Sequence, residues 1–272
     1  MRTSLLAALG CCWLLLAGLA GAQTPVPPVD PALPDQLKEL KALVADPKMV
    51  ADFQAISLMQ KLGKDFDARN PKDQERLARG IGDVFRTGKL RTADKQILYR
   101  EAADALAGMH AEGGKELAKA IGDVRFKDTL PLLCHLTLAL GKTEDDKQVD
   151  WLVDTTSRSP HDELRAASAE ALGNYTSLEI KARREVVKAI VRAWGSLHSK
   201  ATQADPTNPN APVDLEPQNA RRTLRAVEGK WGATLARLTG VTMTGFTEWQ
   251  RWLNKRSEEH KSELQSRQYL VC

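Results

Sequence analysis

The sequence predicts an all-α protein of the α-solenoid type, a stack of antiparallel helix pairs with about 10–11 helices. Apolar residues recur every third or fourth position from residue 35 to residue 255, and runs of β-type alternation are absent. Short segments also repeat along the chain. With 272 residues, 42% of them hydrophobic and 27% charged, the chain can bury a sizeable core, and collagen-like or largely disordered classes are excluded.

The first residues predict an export signal. Arg2 precedes an uncharged apolar run that extends to Ala20, and the run ends in Ala20-Gly21-Ala22. A basic start, a short apolar stretch and a small-x-small site are typical of a cleaved signal peptide, here residues 1–22. A transmembrane anchor is the alternative, but it needs about 20 apolar residues. We therefore expect an exported protein, periplasmic or extracellular, with no membrane span after cleavage.

Two proline-rich segments divide the mature chain. Residues 23–34 hold five prolines and predict an extended linker. Residues 204–217 hold four prolines and two asparagines and predict an irregular loop. Apart from this loop, residues 35–255 have the helical pattern and are predicted to form the solenoid. We expect helices near 35–45, 47–62, 71–87, 92–108, 113–122, 128–141, 144–157, 160–174, 178–203, 218–238 and 246–255.

Several helix starts carry capping residues. Asp46, Asn70 and Ser159 each precede a proline, which is the order of an N-cap followed by the first helical residue. Thr143 and Ser177 have the same capping chemistry before two further apolar patterns. These five residues therefore predict where five helices begin.

The internal repeats decide between a solenoid and another helical fold. LARGIGDVF at 77–85 recurs as LAKAIGDVR at 117–125, an offset of forty residues. Ala-Leu-Ala at 105–107 recurs as Ala-Leu-Gly at 139–141 and 171–173. Repeats of 30 to 45 residues are typical of stacked helix pairs, in which no single pair buries its apolar face alone.

One unit resembles a bacterial HEAT repeat. Residues 148–175 read QVDWLVDTTSRSPHDELRAASAEALGNY, and their second half is similar to the family pattern V-R-x-x-A-x-x-A-L-G. The resemblance implies that 160–174 is a second helix and that 178–203 is a first, convex helix. The family's turn aspartate, which pairs with the arginine of the pattern, is replaced by Ser159. Arg165 is therefore not expected to form that ion pair.

A second resemblance lies near the end of the helical pattern. Residues 235–255, LARLTGVTMTGFTEWQRWLNK, resemble the terminal element of exported HEAT-repeat proteins from planctomycete-type bacteria, where L-T-G leads to W-x-x-W. Trp249 and Trp252 fall on one helix face, and we expect them to form a structural cap on the last repeat. An aromatic ligand platform is the alternative.

The final residues resemble no protein family. Residues 256–272, RSEEHKSELQSRQYLVC, are similar to the translation of a sequencing-adapter read-through that begins RSEEHTSELQS, with only Lys261 different in the first eleven positions. We interpret this segment as an artefactual tail that replaces the natural residues.

No catalytic constellation is evident in the sequence. The histidines are scattered, and there is no zinc motif, phosphate loop or nucleophile elbow. Asp146, Asp150 and Asp154 fall at helical spacing, but we interpret them as a solvated face. Cys134 lies in an apolar pattern and is expected to be a small buried side chain. We therefore expect no enzyme activity, no cofactor and no metal site.

A basic ridge is the most concentrated candidate for binding. Lys181, Arg184, Lys188 and Arg192 follow one another at spacings of three and four residues, while the opposite face of the same helix is apolar. The formal net charge of the whole chain is only +4, which gives no indication of nucleic acid binding. The ridge indicates either a surface for an acidic protein partner or an ordinary solvated face, and its place on a convex helix does not favour a groove wall.

These observations predict a non-enzymatic, exported HEAT-repeat scaffold that mediates protein–protein interaction. Two alternatives remain open. HEAT-type repeats also occur in lyases, which would need an acid, a base or a nucleophile on the concave face. The chain could also be a cell-envelope structural protein that self-associates along its ends.

The predicted cleavage site can be checked directly. After export, the mature chain is expected to begin at Gln23, because signal peptidase recognises the small residues at Ala20 and Ala22. Intact mass spectrometry of secreted material measures this start. A mass that retains residues 1–22 would contradict the prediction.

Overall fold

The computed structural model describes residues 27–203 and 215–256. These residues form α-helices and short 3-10 turns, and none of them lies in a β-strand, so the predicted all-α class is confirmed for this part of the chain. The predicted signal peptide, residues 204–214 of the predicted loop and residues 257–272 of the predicted tail lie outside the described residues.

Eleven α-helices occupy the described segments, in the order that the sequence predicts. Their bounds are α1 Leu33–Val44, α2 Asp52–Gly63, α3 Pro71–Gly82, α4 Ile97–Ala107, α5 His110–Ile121, α6 Leu130–Lys142, α7 Val149–Arg158, α8 Asp162–Leu172, α9 Ile180–Ala201, α10 Glu216–Thr239 and α11 245–256. Helices α1 and α10 each begin two residues before their predicted starts, because Pro34 and Pro217 occupy first-turn positions that need no donor.

The predicted helix starts are confirmed at one residue and displaced at the others. Asn70 caps α3 as predicted, and its side chain accepts a hydrogen bond from the Lys72 backbone amide at 2.9 Å. Asp46 does not begin α2. Its carboxylate accepts hydrogen bonds from the backbone amides of Val50 and Lys48 and closes a turn, so the helix starts only at Asp52.

The same displacement occurs at three hydroxyl side chains. Ser159 accepts a hydrogen bond from the His161 backbone amide, and α8 begins after His161 rather than after Ser159. The Thr143 hydroxyl donates to the Leu140 carbonyl, and that of Ser177 donates to Glu144. The bonds of Ser159 and Thr143 are local turns and that of Ser177 is to a distant side chain, and in each case the helix begins several residues later.

The helices pack against their next and next-but-one neighbours. The even-numbered helices form one continuous row from α2 to α10, with each member against the next. Within this row α8 and α10 are parallel, since contacts advance together along both: Thr223 donates to Asp162 at 2.8 Å, and Arg237 donates to Asn174 at 2.8 Å. Lys230 and Glu170 form an ion pair between these two contacts.

The sequence repeats coincide with equivalent places in these rows. The Ala-Leu-small segments are the last turns of α4, α6 and α8, and their leucines, Leu106, Leu140 and Leu172, are fully buried. The longer repeat covers the ends of α3 and α5, which pack against each other, and a 3-10 turn follows each of these helices. The repeated residues thus lie where one helix of a row packs against the next helix of that row.

Small residues bring neighbouring helices of the even row into backbone contact. A Cβ atom at Gly141 in α6 would lie 2.5 Å from both Cα and Cβ of Ala171 in α8. That distance is well inside van der Waals contact. The close packing of α6 on α8 therefore requires glycine at this position.

The odd-numbered helices pack less continuously. Helices α1, α3 and α5 form one run, and α7 packs with α9 in another. Between the two runs α5 meets the turn that precedes α7, and a Cβ at Gly114 would lie 2.8 Å from Cβ of Asp145. Tyr175 donates a hydrogen bond to the Asp145 carbonyl at 3.3 Å, so this turn is held from the other side as well.

A buried ion pair joins the first two helices to the segment before α4. The Arg91 side chain is fully buried and donates two hydrogen bonds to Asp52, at 2.7 and 3.1 Å. The same guanidinium donates to the Val44 carbonyl at the end of α1 and lies 5.5 Å from the centre of the Tyr99 ring. Its charge and donors are therefore satisfied inside the core.

Glycine-to-alanine exchanges test the close packing in the even row. Gly141→Ala is expected to lower the free energy of unfolding by about 1–3 kcal/mol, because the new methyl group overlaps Ala171. Gly229→Ala in α10 is the matched control, since no atom lies within 4 Å of its added Cβ. The control should be neutral or stabilising by up to about 1 kcal/mol. Urea denaturation measures both, and equal effects would contradict the close approach.

Candidate binding groove

A groove with a basic rim lies between α9, α10 and α11. Its volume is about 480 Å³, a size typical of ligand-binding pockets. We call it the basic groove. It is lined by Ile180, Arg183, Arg184, Val187, Lys188, Arg192, Leu238, Thr239, Trp252, Leu253 and Arg256.

Three residues of the predicted ridge line this groove. Arg184, Lys188 and Arg192 are on its α9 wall, and Lys181 lies one turn earlier, exposed and outside the lining. The HEAT resemblance does not predict a groove at α9, yet the ridge forms one of its walls. Arg183 and Arg256 also line the groove, although the sequence does not single them out as binding residues.

The floor of the groove is apolar and comes from all three helices. Val187 belongs to α9, Leu238 to the last turn of α10, and Trp252 and Leu253 to α11. At the open end Ile180 is 68% exposed. An occupant with both an anionic group and an apolar group would therefore find partners for each.

Only some of the cationic side chains of the groove form hydrogen bonds or ion pairs within the protein. Lys188 pairs with Glu185 at 2.8 Å, and Arg183 donates to the Thr176 carbonyl at 2.6 Å. The hydrogen bond from Lys188, assisted by the charges of Arg192 and Arg184, lowers the pKa of Glu185. Arg184 and Arg192 themselves form no hydrogen bond or ion pair with any residue in 27–203 or 215–256.

The position of these cations on α9 is electrostatically unfavourable. The first turn of α9 contains Lys181 and Arg183, Arg184 follows at once, and the nearest acidic residue at this end is Glu179 at the N-cap position. The amino end of a helix carries a partial positive charge, so cations there are destabilising by about 0.3–1 kcal/mol each. A bound anion would relieve this repulsion.

Helix α11 is held against α9 by aromatic packing. Phe246 lies 5.1 Å from the His198 ring and 6.5 Å from the Trp194 ring, and a Cβ at Gly195 would lie 3.0 Å from the Phe246 ring. Trp249 is fully buried, and Trp252 packs edge-on against it at 5.7 Å. The two predicted cap residues thus differ: Trp249 lies in the core, whereas Trp252 is half-buried and forms part of the groove.

A second groove lies on the other side of α9, against α7. Its volume is about 620 Å³, and Arg192 lines it as well as the basic groove. Asp150 and Asp154 are on its α7 wall, where Asp154 pairs with Arg158 at 2.9 Å. The remaining lining residues are Val153, Ser157, Arg158, Arg165, Ala189, Ala193, Ser196, Leu197 and Lys200.

Arg165 faces this second groove and closes the end of α7. It donates hydrogen bonds to the carbonyls of Thr156 and Ser157, at 3.2 and 2.6 Å, in place of an ion pair with the turn. Its guanidinium also lies 5.8 Å from the centre of the Trp231 ring. Burial lowers its pKa. Ser159 carries no charge, and Arg165 bonds to these backbone carbonyls without forming an ion pair with a described residue.

The other candidate residues are not brought together into a site. Asp146 lies in a 3-10 turn before α7, so it does not share a helix with Asp150. Cys134 in α6 is half-buried, and burial raises the pKa of its thiol. Within the described segments, no cluster of three or more potential ligand side chains could hold a metal ion, and no helix has the length and apolar character to cross a bilayer.

Comparison of the chain with protein families, with curated proteins and with solved structures finds no match. The HEAT resemblance, the planctomycete-type resemblance and the export signal therefore stay predictions from the sequence.

Two tryptophan exchanges separate the role of α11 in folding from its role in the groove. Trp249→Ala is expected to lower the free energy of unfolding by about 3–5 kcal/mol, because it removes a fully buried aromatic side chain. Trp252→Ala should cost clearly less, since this side chain is only half-buried. Urea denaturation measures both changes. Equal losses, or a neutral Trp249→Ala, would contradict this division.

Proposed function

We propose that the protein is an exported, HEAT-like α-solenoid scaffold that binds a protein partner through the basic groove and catalyses no reaction. The contact pattern supports the solenoid: helices pack on their next and next-but-one neighbours, and the repeated Ala-Leu-small segments end successive members of the even row. Such stacks characteristically present long surfaces to other proteins.

The observation that carries the proposal is the lining of the basic groove. Apart from Arg256, which belongs to the predicted artefactual tail, it combines four cationic side chains with five apolar ones and contains no carboxylate. Unmatched charge around an apolar floor is a poor arrangement for a surface that stays in water, and a good one for an acidic partner with an apolar side chain. Arg184 and Arg192, whose side chains form no hydrogen bond or ion pair with a described residue, are the groups most available to it.

The proposed role of charge is in association. A cluster of like charges at a concave surface raises the rate at which oppositely charged partners arrive, and salt screens this effect. The neutral floor contributes by burying apolar area after contact. Loss of charge should therefore change the association rate more than the dissociation rate.

Charge reversal in the groove tests the proposal. Partners are captured from a bacterial envelope extract with the exported chain, identified and purified, and their association is measured at several salt concentrations. Arg184→Glu with Arg192→Glu is expected to slow association about tenfold and to flatten its salt dependence. These two side chains make no internal bonds, so the fold should be unaffected.

The matched control carries the same change of charge elsewhere. Lys64→Glu with Lys89→Glu alters two exposed lysines that lie outside both grooves and form no ion pair with a described residue. It should associate at the wild-type rate. If every captured partner binds equally well to the groove variant, or equally poorly to both variants, the groove is not the binding site.

A further inference from the structure

We infer that the occupant of the basic groove is an extended protein segment of about nine residues that continues along α9 into the second groove. This inference rests on the proposed function and adds the length and composition of the ligand. The segment has an acidic half with one bulky apolar side chain and a polar half with one basic residue.

The length follows from the path along α9. Ile180 lines the basic groove, Lys200 lines the second groove, and Arg192 lines both, so the two grooves meet at this side chain. Twenty residues of α-helix separate Ile180 from Lys200, a rise of about 30 Å. An extended chain advances about 3.3 Å per residue, so about nine residues is the shortest segment that covers this rise while crossing α9 at Arg192 from one groove to the other.

The acidic half belongs to the basic groove. The side chains of Arg184 and Arg192 form no hydrogen bond or ion pair with a described residue, and the cations of the groove outnumber the nearby carboxylates of Glu179 and Glu185. The apolar side chain belongs there as well, because Val187, Leu238 and Trp252 form the floor. A purely acidic segment would leave this floor in water.

The second groove has a different balance of charge. Arg158 is paired with Asp154, Lys200 is paired with Glu216 at 2.6 Å, and Arg165 is bound to backbone carbonyls. Asp150 is exposed and makes no hydrogen bond or ion pair with another described residue. This end of the path therefore favours a polar residue and a cation over further carboxylates.

The spread of charge argues against a compact anion. Arg184, Lys188 and Arg192 succeed one another at intervals of one helical turn, so one phosphate or carboxylate group cannot meet all three at short distance. An extended acidic segment can place successive carboxylates along them. A phosphatidylglycerol surface would engage the rim but has no basic group for Asp150.

Labelled peptides test this inference by fluorescence anisotropy with the full exported chain. The probe is Glu-Glu-Leu-Glu-Glu-Ser-Gly-Lys-Ser, and the truncated probe is its first five residues. The long probe is expected to bind at least about tenfold more tightly than the short one, because only the long one reaches the second groove. Replacing its leucine with serine should also weaken binding severalfold.

Two protein variants test which groove binds each half of the nine-residue peptide. Arg184→Glu should weaken binding of both peptides, whereas Asp150→Lys should weaken the nine-residue peptide and leave the five-residue peptide unchanged. Thermal denaturation of both variants checks that the fold is retained. Vesicles of phosphatidylglycerol, tested by sedimentation, distinguish a lipid surface from a peptide.

Several outcomes would overturn the inference. Equal affinity for the two peptides, or no effect of Asp150→Lys, would show that the ligand stays within the basic groove. Binding to vesicles without binding to peptide would assign the groove to lipid. The proposed function fails separately, when the partner identified by capture associates normally with the Arg184→Glu, Arg192→Glu variant.

Discussion

The close approach of neighbouring helices at small residues is the constraint on which the rest of this structure depends. Gly141 brings the backbone of α6 against Ala171 in α8, and Gly82 at the end of α3 admits the Glu116 side chain of α5, which a Cβ would meet at 2.5 Å. Contacts of this kind fix the register of one helix on the next, because a shift of one residue would place a side chain in the gap. The register of α8 in turn sets that of α10 and, through α10, the walls of the basic groove.

The number, order and class of the helices could be predicted from the sequence, because a period of 3.6 residues is visible in each helix separately. The starts were harder to predict, for a reason that Asp46 and Ser159 illustrate. Asp and Ser side chains bond to nearby backbone amides in turns as readily as at helix ends, and here the turn prevails. At Asn70 no such turn competes, and the predicted cap is confirmed.

Only the α9 wall of the basic groove could be predicted from the sequence. Arg184, Lys188 and Arg192 share one helix, so their spacing alone indicates a common face. Leu238 and Trp252 join them from α10 and α11, more than forty residues further along the chain, and they meet because α10 and Phe246 of α11 both pack on α9. The same limit applies to Arg192, because membership of two grooves is a property of three helices together.

The turn at Asp145 has a mechanical consequence. Where α5 meets this turn rather than α7, the odd row is coupled through a backbone loop, while the even row passes the same point through the tight contact of α6 on α8. A bend at this junction would therefore occur about the contact of α6 on α8. It would change the distance between α5 and α7 in the odd row. The helices before the junction would then move as one group, and those after it as a second group. A ligand bound between α7 and α9 contacts only the group of helices after the junction.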